Sequence, residues 1–211
     1  MNTKVKLLTI ILFITGFIFG QKSEEKLVRT SFENYRSAIL NDKGEEAFNC
    51  IDSRTVKYYS DMLELVKNAD STEVSNLSLM DKMMVLTIRY RVPKEEVLTL
   101  DGKGLFIYAV ESGMVGKNSV ANNSIGEITI DKEFAKGQFI SNGKKSPLYF
   151  HFYKEDELWK VDLTSIFPMT NIVFKQLAEK SGLSENEYVF TLIEMITGTK
   201  PGNEIWNKLI N

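Results

Sequence analysis

The residues best placed to do chemistry are His151 and Asp162. Around His151 the side chains alternate as they do along a strand. Leu148, Phe150 and Phe152 fall on one face, and Tyr149, His151 and Tyr153 on the other. After the acidic link Lys154-Glu155-Asp156-Glu157, Trp159, Val161 and Leu163 alternate with Lys160, Asp162 and Thr164. An antiparallel register that sets Phe150 against Leu163 unites the two apolar sets and brings His151 opposite Asp162. A slip of one residue would mix the faces and waste burial. The turn this requires centres on Asp156-Glu157 and lacks the usual glycine. A carboxylate beside an imidazole fixes its tautomer and raises its basicity, which is how a general base is built. Tyr149 and Tyr153 would flank that pair and could donate to a developing oxyanion. His151 and Asp162 are therefore the catalytic candidates, and Tyr149, His151, Tyr153 and Asp162 the ligand-pocket candidates. The competing reading is a structural cross-strand pair, on a partly exposed face or covered by the C-terminal helices. The pattern favours that structural reading, because ion-pair networks also produce such geometry.

Other motifs are weaker. His151 is the only histidine and Cys50 the only cysteine. An intramolecular disulfide is impossible, and one His with one Cys does not make a standard transition-metal site. Ala47, Phe48 and Ile51 surround Cys50 in sequence and suggest a buried thiol. Gly102-Lys103-Gly104 lacks the third glycine of a dinucleotide fingerprint, and there is neither a P-loop nor a G-x-S-x-G. No cofactor is expected. Met80, Met83 and Met84 share a helical stretch, where core filling is the simplest role and a methionine-rich binding surface the alternative. Glu45-Glu46 and Glu95-Glu96 suit the first turns of helices, where acids complement the dipole. Asn76-Leu77-Ser78 and Asn122-Asn123-Ser124 are sequons.

The start of the chain speaks to location. Lys4 and Lys6 precede an apolar run, Leu7 to Gly20, which gives way abruptly to Gln21-Lys22-Ser23-Glu24-Glu25-Lys26. This pattern predicts a secretory signal peptide over 1–20, cut after Gly20, and an exported, periplasmic or secreted protein. The run is shorter than the roughly 20 residues a spanning helix needs; an uncleaved anchor is the alternative. The chain carries 26 basic and 28 acidic residues, and loss of Lys4 and Lys6 makes the remainder more acidic. Such a surface argues against nucleic acid, which requires a basic face.

The elements that would carry these residues fall into three blocks. The front is helical. Leu27, Val28, Phe32, Tyr35, Ala38 and Ile39 recur at helical spacing up to Asn41. Asp52 is suited to cap a helix over 53–68, and Asp101 caps one that ends at Gly113; between them 77–92 fits either a strand, through Val85, Leu86 and Ile88, or a helix, and the stop at Pro93 favours the helix. The middle changes period and predicts strands over 125–130, 134–140, 147–153 and 158–164, with short links and hence an antiparallel sheet. The back is helical over 166–180 and again up to Thr197, where Ser184 and Glu187 form a capping box, and 203–211 closes the chain as a short helix. The apolar stripe of Ile172, Val173, Leu177, Tyr188, Val189, Leu192, Ile193 and Ile196 is expected to pack on the sheet.

Front helices followed by a curved antiparallel sheet, whose last hairpin reads from Phe150 through Lys154-Glu155-Asp156-Glu157 to Trp159-Lys160-Val161, resemble the nuclear transport factor 2-like superfamily. The resemblance covers about residues 24–165. It implies an α+β fold in which helices pack on a cone-like curved sheet, often around an internal pocket, and no particular chemistry, since members include isomerases, dehydratases, transport adaptors and domains without activity. The extra helix in 77–113 and the C-terminal segment depart from that pattern. The expected organisation is a signal peptide (1–20), a nuclear transport factor 2-like domain (21–165) and a C-terminal helical extension packed on it (166–211). The expected function is binding of a small apolar ligand or a protein partner. The alternative is a cofactor-free lyase or isomerase using a His/Asp/Tyr pocket.

Overall fold

The computed structural model describes the backbone of residues 3–210 and the side chains of residues 22–210. The secretory leader expected over 1–20, with its cut after Gly20, lies outside the residues whose side chains are described. Among the described residues, no helix is long and apolar enough to cross a membrane.

The fold is α+β: helices pack on one curved, open antiparallel sheet of four strands. The front helices are α1 (Thr3–Leu40), α2 (Gly44–Phe48), α3 (Ser53–Asn68), α4 (Ser71–Ser75), α5 (Leu79–Arg91), α6 (Lys94–Thr99) and α7 (Gly102–Glu111). Val28, Phe32, Tyr35 and Ile39 form the buried stripe of α1, as their spacing predicts. Side-chain caps set the starts of the longer helices. Asp52 accepts from the Thr55 amide, Ser78 from that of Asp81, and Asp101 from that of Gly104. Gly44 lets α2 approach α7 closely, since a Cβ there would lie 2.7 Å from the Ile107 side chain. Helices α4 and α6 are short turns that no hydrophobic period announces. The acids Glu45, Glu46, Glu95 and Glu96 do occupy first turns.

The strands β1 (Asn123–Asp131), β2 (Phe134–Ser141), β3 (Lys144–Glu155) and β4 (Leu158–Asp162) follow one another across the sheet as a meander. The register shifts between Ile125 and Ile128 and again between Gln138 and Ile140; such bulges bend and twist the strands that hold them. In the last hairpin Asp156 and Glu157 take φ of 50° and 62°. Both central residues are thus left-handed, the conformation a two-residue hairpin turn prefers. Part of the seam between front and sheet is main chain: the Asp52 amide donates to the Val161 carbonyl at 3.0 Å and the Val161 amide to Cys50 at 2.8 Å. That pairing covers the edge of β4.

Several expectations need correction. The last strand stops at Asp162 instead of Thr164, because Asp162 turns its carboxylate on the Thr164 amide and starts a 3-10 turn over Leu163–Ile166. In place of the closing helix expected over 203–211, the described residues hold a 3-10 turn, Asn203–Trp206. Cys50 is half-buried, with its Sγ donating to the Glu46 carbonyl. The back helices α8 (Phe167–Ser181) and α9 (Glu185–Thr197) lie chiefly against α5. Val189 and Ile193 are buried there, but Ile172, Val173 and Leu177 remain 48, 45 and 44 % exposed. Only one side of α8 meets a neighbour, and its apolar residues span more than that side.

Two buried cations of α5 hold the back in place. Lys82 donates to Asn186 at 3.1 Å and faces Glu185 at 3.4 Å. Arg89 donates to five main-chain carbonyls: Leu65, Val66 and Ala69 at the end of α3, and Ile205 and Trp206 in the C-terminal turn. The last carbonyls of a helix carry partial negative charge, which suits a cation there.

Candidate functional site

The last hairpin pairs His151 with Asp162, Phe152 with Val161 and Tyr153 with Lys160. This is the register that the two apolar faces predict. Phe150, Phe152, Trp159 and Val161 are buried on one face. Tyr149, His151 and Tyr153 share the other with Phe134 and Lys136 of β2. Neighbourhood does not become a catalytic hydrogen bond, however. Asp162 is only 4 % exposed, and its Oδ1 accepts from the Thr164 amide at 2.9 Å and the Thr164 hydroxyl at 2.6 Å. The His151 ring stands edge-on to Phe134 at 5.2 Å, and its amide donates to the Ser165 hydroxyl. Desolvation holds the His151 pKa below its ordinary value; Asp162 opposes that shift and Lys136 adds to it. Tyr153 lies under the Arg54 guanidinium at 3.5 Å from the ring centre, and Tyr149 is exposed. The four sequence-predicted residues thus share one sheet face, with Asp162 turned to its own capping turn.

Three clefts among the described residues lie elsewhere, and none has Tyr149, His151, Tyr153 or Asp162 in its lining. One is apolar, with a volume of about 180 Å³. Helix α5 forms its long wall through Met80, Met83, Met84, Thr87, Ile88 and Arg91. These positions recur at three and four residues and form one helical face. Tyr59 of α3, Leu105 and Ala109 of α7, and Ile196 of α9 complete the cleft, with Met114 and Val115 from the segment after α7. A more open cleft of about 450 Å³ lies between α9 and the C-terminal turn, where Phe190 stacks on Trp206 at 5.9 Å.

The signal for the apolar cleft was present in the sequence and open to two readings. Helix α5 carries one stripe through Leu79, Lys82, Val85, Leu86 and Arg89, which is buried. A second runs through Met80, Met83, Met84, Thr87 and Arg91 and is partly covered. Both fit a period of 3.6 residues, so the period alone does not say which one meets the core. Among the described residues, no group of His, Cys, Asp and Glu side chains could hold a metal ion. Fold and cleft together define an α+β domain with a methionine-lined apolar recess between its helices. Comparison with protein-family models, curated proteins and solved structures finds no match to the chain.

Proposed function

We propose that the chain is an exported, non-catalytic binding protein that holds a small apolar ligand in the cleft along α5. The observation that carries this reading is the lining itself. Met80, Met83, Met84 and Met114 converge on one recess with a single charged side chain among them. Methionine is flexible and polarisable, so such walls adapt to apolar guests. Its volume of about 180 Å³ is close to the apolar cavity of about 150 Å³ that is known to hold benzene. The curved sheet and front helices support a place in the nuclear transport factor 2-like superfamily, and the basic-apolar-polar start supports export; an intact mass that begins well before Gln21 would count against the latter. The cleft is tested with methyl-labelled methionine and octan-1-ol as the probe. The expected result is saturable shifts of the Met80, Met83, Met84 and Met114 methyl signals. Shifts confined to other methionines, or none, would end the reading.

A protein partner is the second reading. It is favoured by the exposed stripe of Met169, Ile172, Val173 and Leu177 on α8, since contiguous apolar surface of this kind marks interaction sites. The lyase or isomerase alternative has less support, because Asp162 Oδ1 bonds Thr164 and none of the three clefts is lined by His151 or Asp162.

A further inference from the structure

From the cleft's polar groups we infer that its ligand is an amphiphilic anion: a monocarboxylate with an unbranched tail of about six to eight carbons, the size such a volume admits. The inference rests on the proposed binding role of the cleft and adds the identity of the ligand's head group.

Three features of the site point to it. The first is shape. Met80 and Arg91 stand at opposite ends of one face of α5, about 16 Å apart along the axis at a rise of 1.5 Å per residue. Residues from both ends of that face line the cleft, so an extended chain can lie along α5.

The second is charge. No acidic side chain lines the cleft, and Arg91 is its one ion. Arg91 forms no ion pair or hydrogen bond with any described residue, whereas its neighbour Arg89 has five partners. A cation in the last turn of a helix also complements the helix dipole, but that role does not require an apolar floor beneath it. The guanidinium fork matches a carboxylate in two parallel hydrogen bonds.

The third is an unused donor. Tyr59 is 7 % exposed, packs edge-on to Phe106 at 5.0 Å, and its hydroxyl makes no hydrogen bond with a described residue. Burial pushes its pKa up to about 12, so at neutral pH it keeps its proton. The hydroxyl is thus a donor at the cleft wall without a partner among the described residues. An acceptor oxygen in the cleft would supply one, and a carboxylate is an acceptor only.

The test compares three probes with the same tail, octanoate, octan-1-ol and octylammonium, by calorimetric titration of the wild-type protein and of Arg91→Gln. Octanoate should bind about tenfold more tightly than octan-1-ol, the usual worth of a charge-assisted hydrogen bond, and octylammonium more weakly than the alcohol. Arg91→Gln should bring octanoate to the affinity of octan-1-ol and leave the alcohol unchanged. Equal binding of octanoate and octan-1-ol to the wild type would overturn the inference and leave the apolar-ligand reading standing. A preference for octanoate that survives Arg91→Gln would also overturn it. Failure of all three probes would remove the ligand reading itself and this inference with it. If Arg91→Gln does not fold, the order of the three probes on the wild type still decides.

Discussion

Asp162 and Thr164 are bound twice over: one carboxylate oxygen accepts both the amide, at 2.9 Å, and the hydroxyl, at 2.6 Å, of a residue two places along the chain. The consequence reaches across the strand. His151 faces this carboxylate in the ladder, but the hydrogen bonds that its Oδ1 accepts come from the turn that ends β4. The pair is thereby a stop signal for the strand first and a neighbour of the imidazole second.

A pH dependence follows from His151. Its pKa is lowered from 6.5 chiefly by desolvation. Below about 6.5 the unfolded chain takes up a proton that the folded one resists, so stability is lost as the pH is lowered, until the folded pKa is passed. Urea unfolding at several pH values should show wild type losing stability relative to His151→Gln in that window. The opposite slope would mean that Asp162 dominates the imidazole, as a general-base arrangement requires.

Trp159 is a core anchor. It is buried on the inner face of β4, its indole N–H donates to Glu24 at 2.7 Å, and its carbonyl accepts from the Ser31 hydroxyl. Trp159→Ala should cost about 3–5 kcal/mol in chemical denaturation, the usual range for truncating a large buried aromatic. A loss under about 1 kcal/mol would contradict the face assignment of the hairpin.

Arg89 is 8 % exposed and its pKa is lowered by burial. Arg89→Met should cost about 3 kcal/mol or more, because five carbonyls lose their donor at once. Arg89→Lys, with three donors in place of the guanidinium fork, should fall between that variant and wild type. Equal stability of all three would show that the carbonyls find water instead. For the same reason a chain ended after Phe167 should melt without a sharp transition, since it loses the Ile205 and Trp206 acceptors and the buried Val189 and Ile193.

Local chemistry was legible in the sequence. Asp52, Asp101 and Ser184 cap helices because a short side-chain oxygen reaches an amide three residues ahead, whatever the rest of the fold does. The register of the last hairpin was legible too, because only one alignment buries Phe150, Phe152, Trp159 and Val161 together. The tertiary structure alone decided which side of each two-sided helix is covered. Helix α5 could bury either of its stripes, and packing against α3, α8 and α9 chose the one with Lys82 and Arg89, leaving the methionines to line a recess. Helix α8 meets neighbours on one side, so Ile172, Val173 and Leu177 stay in water despite their apolar period. Periodicity records that a face is apolar; what covers it depends on partners far away in the chain.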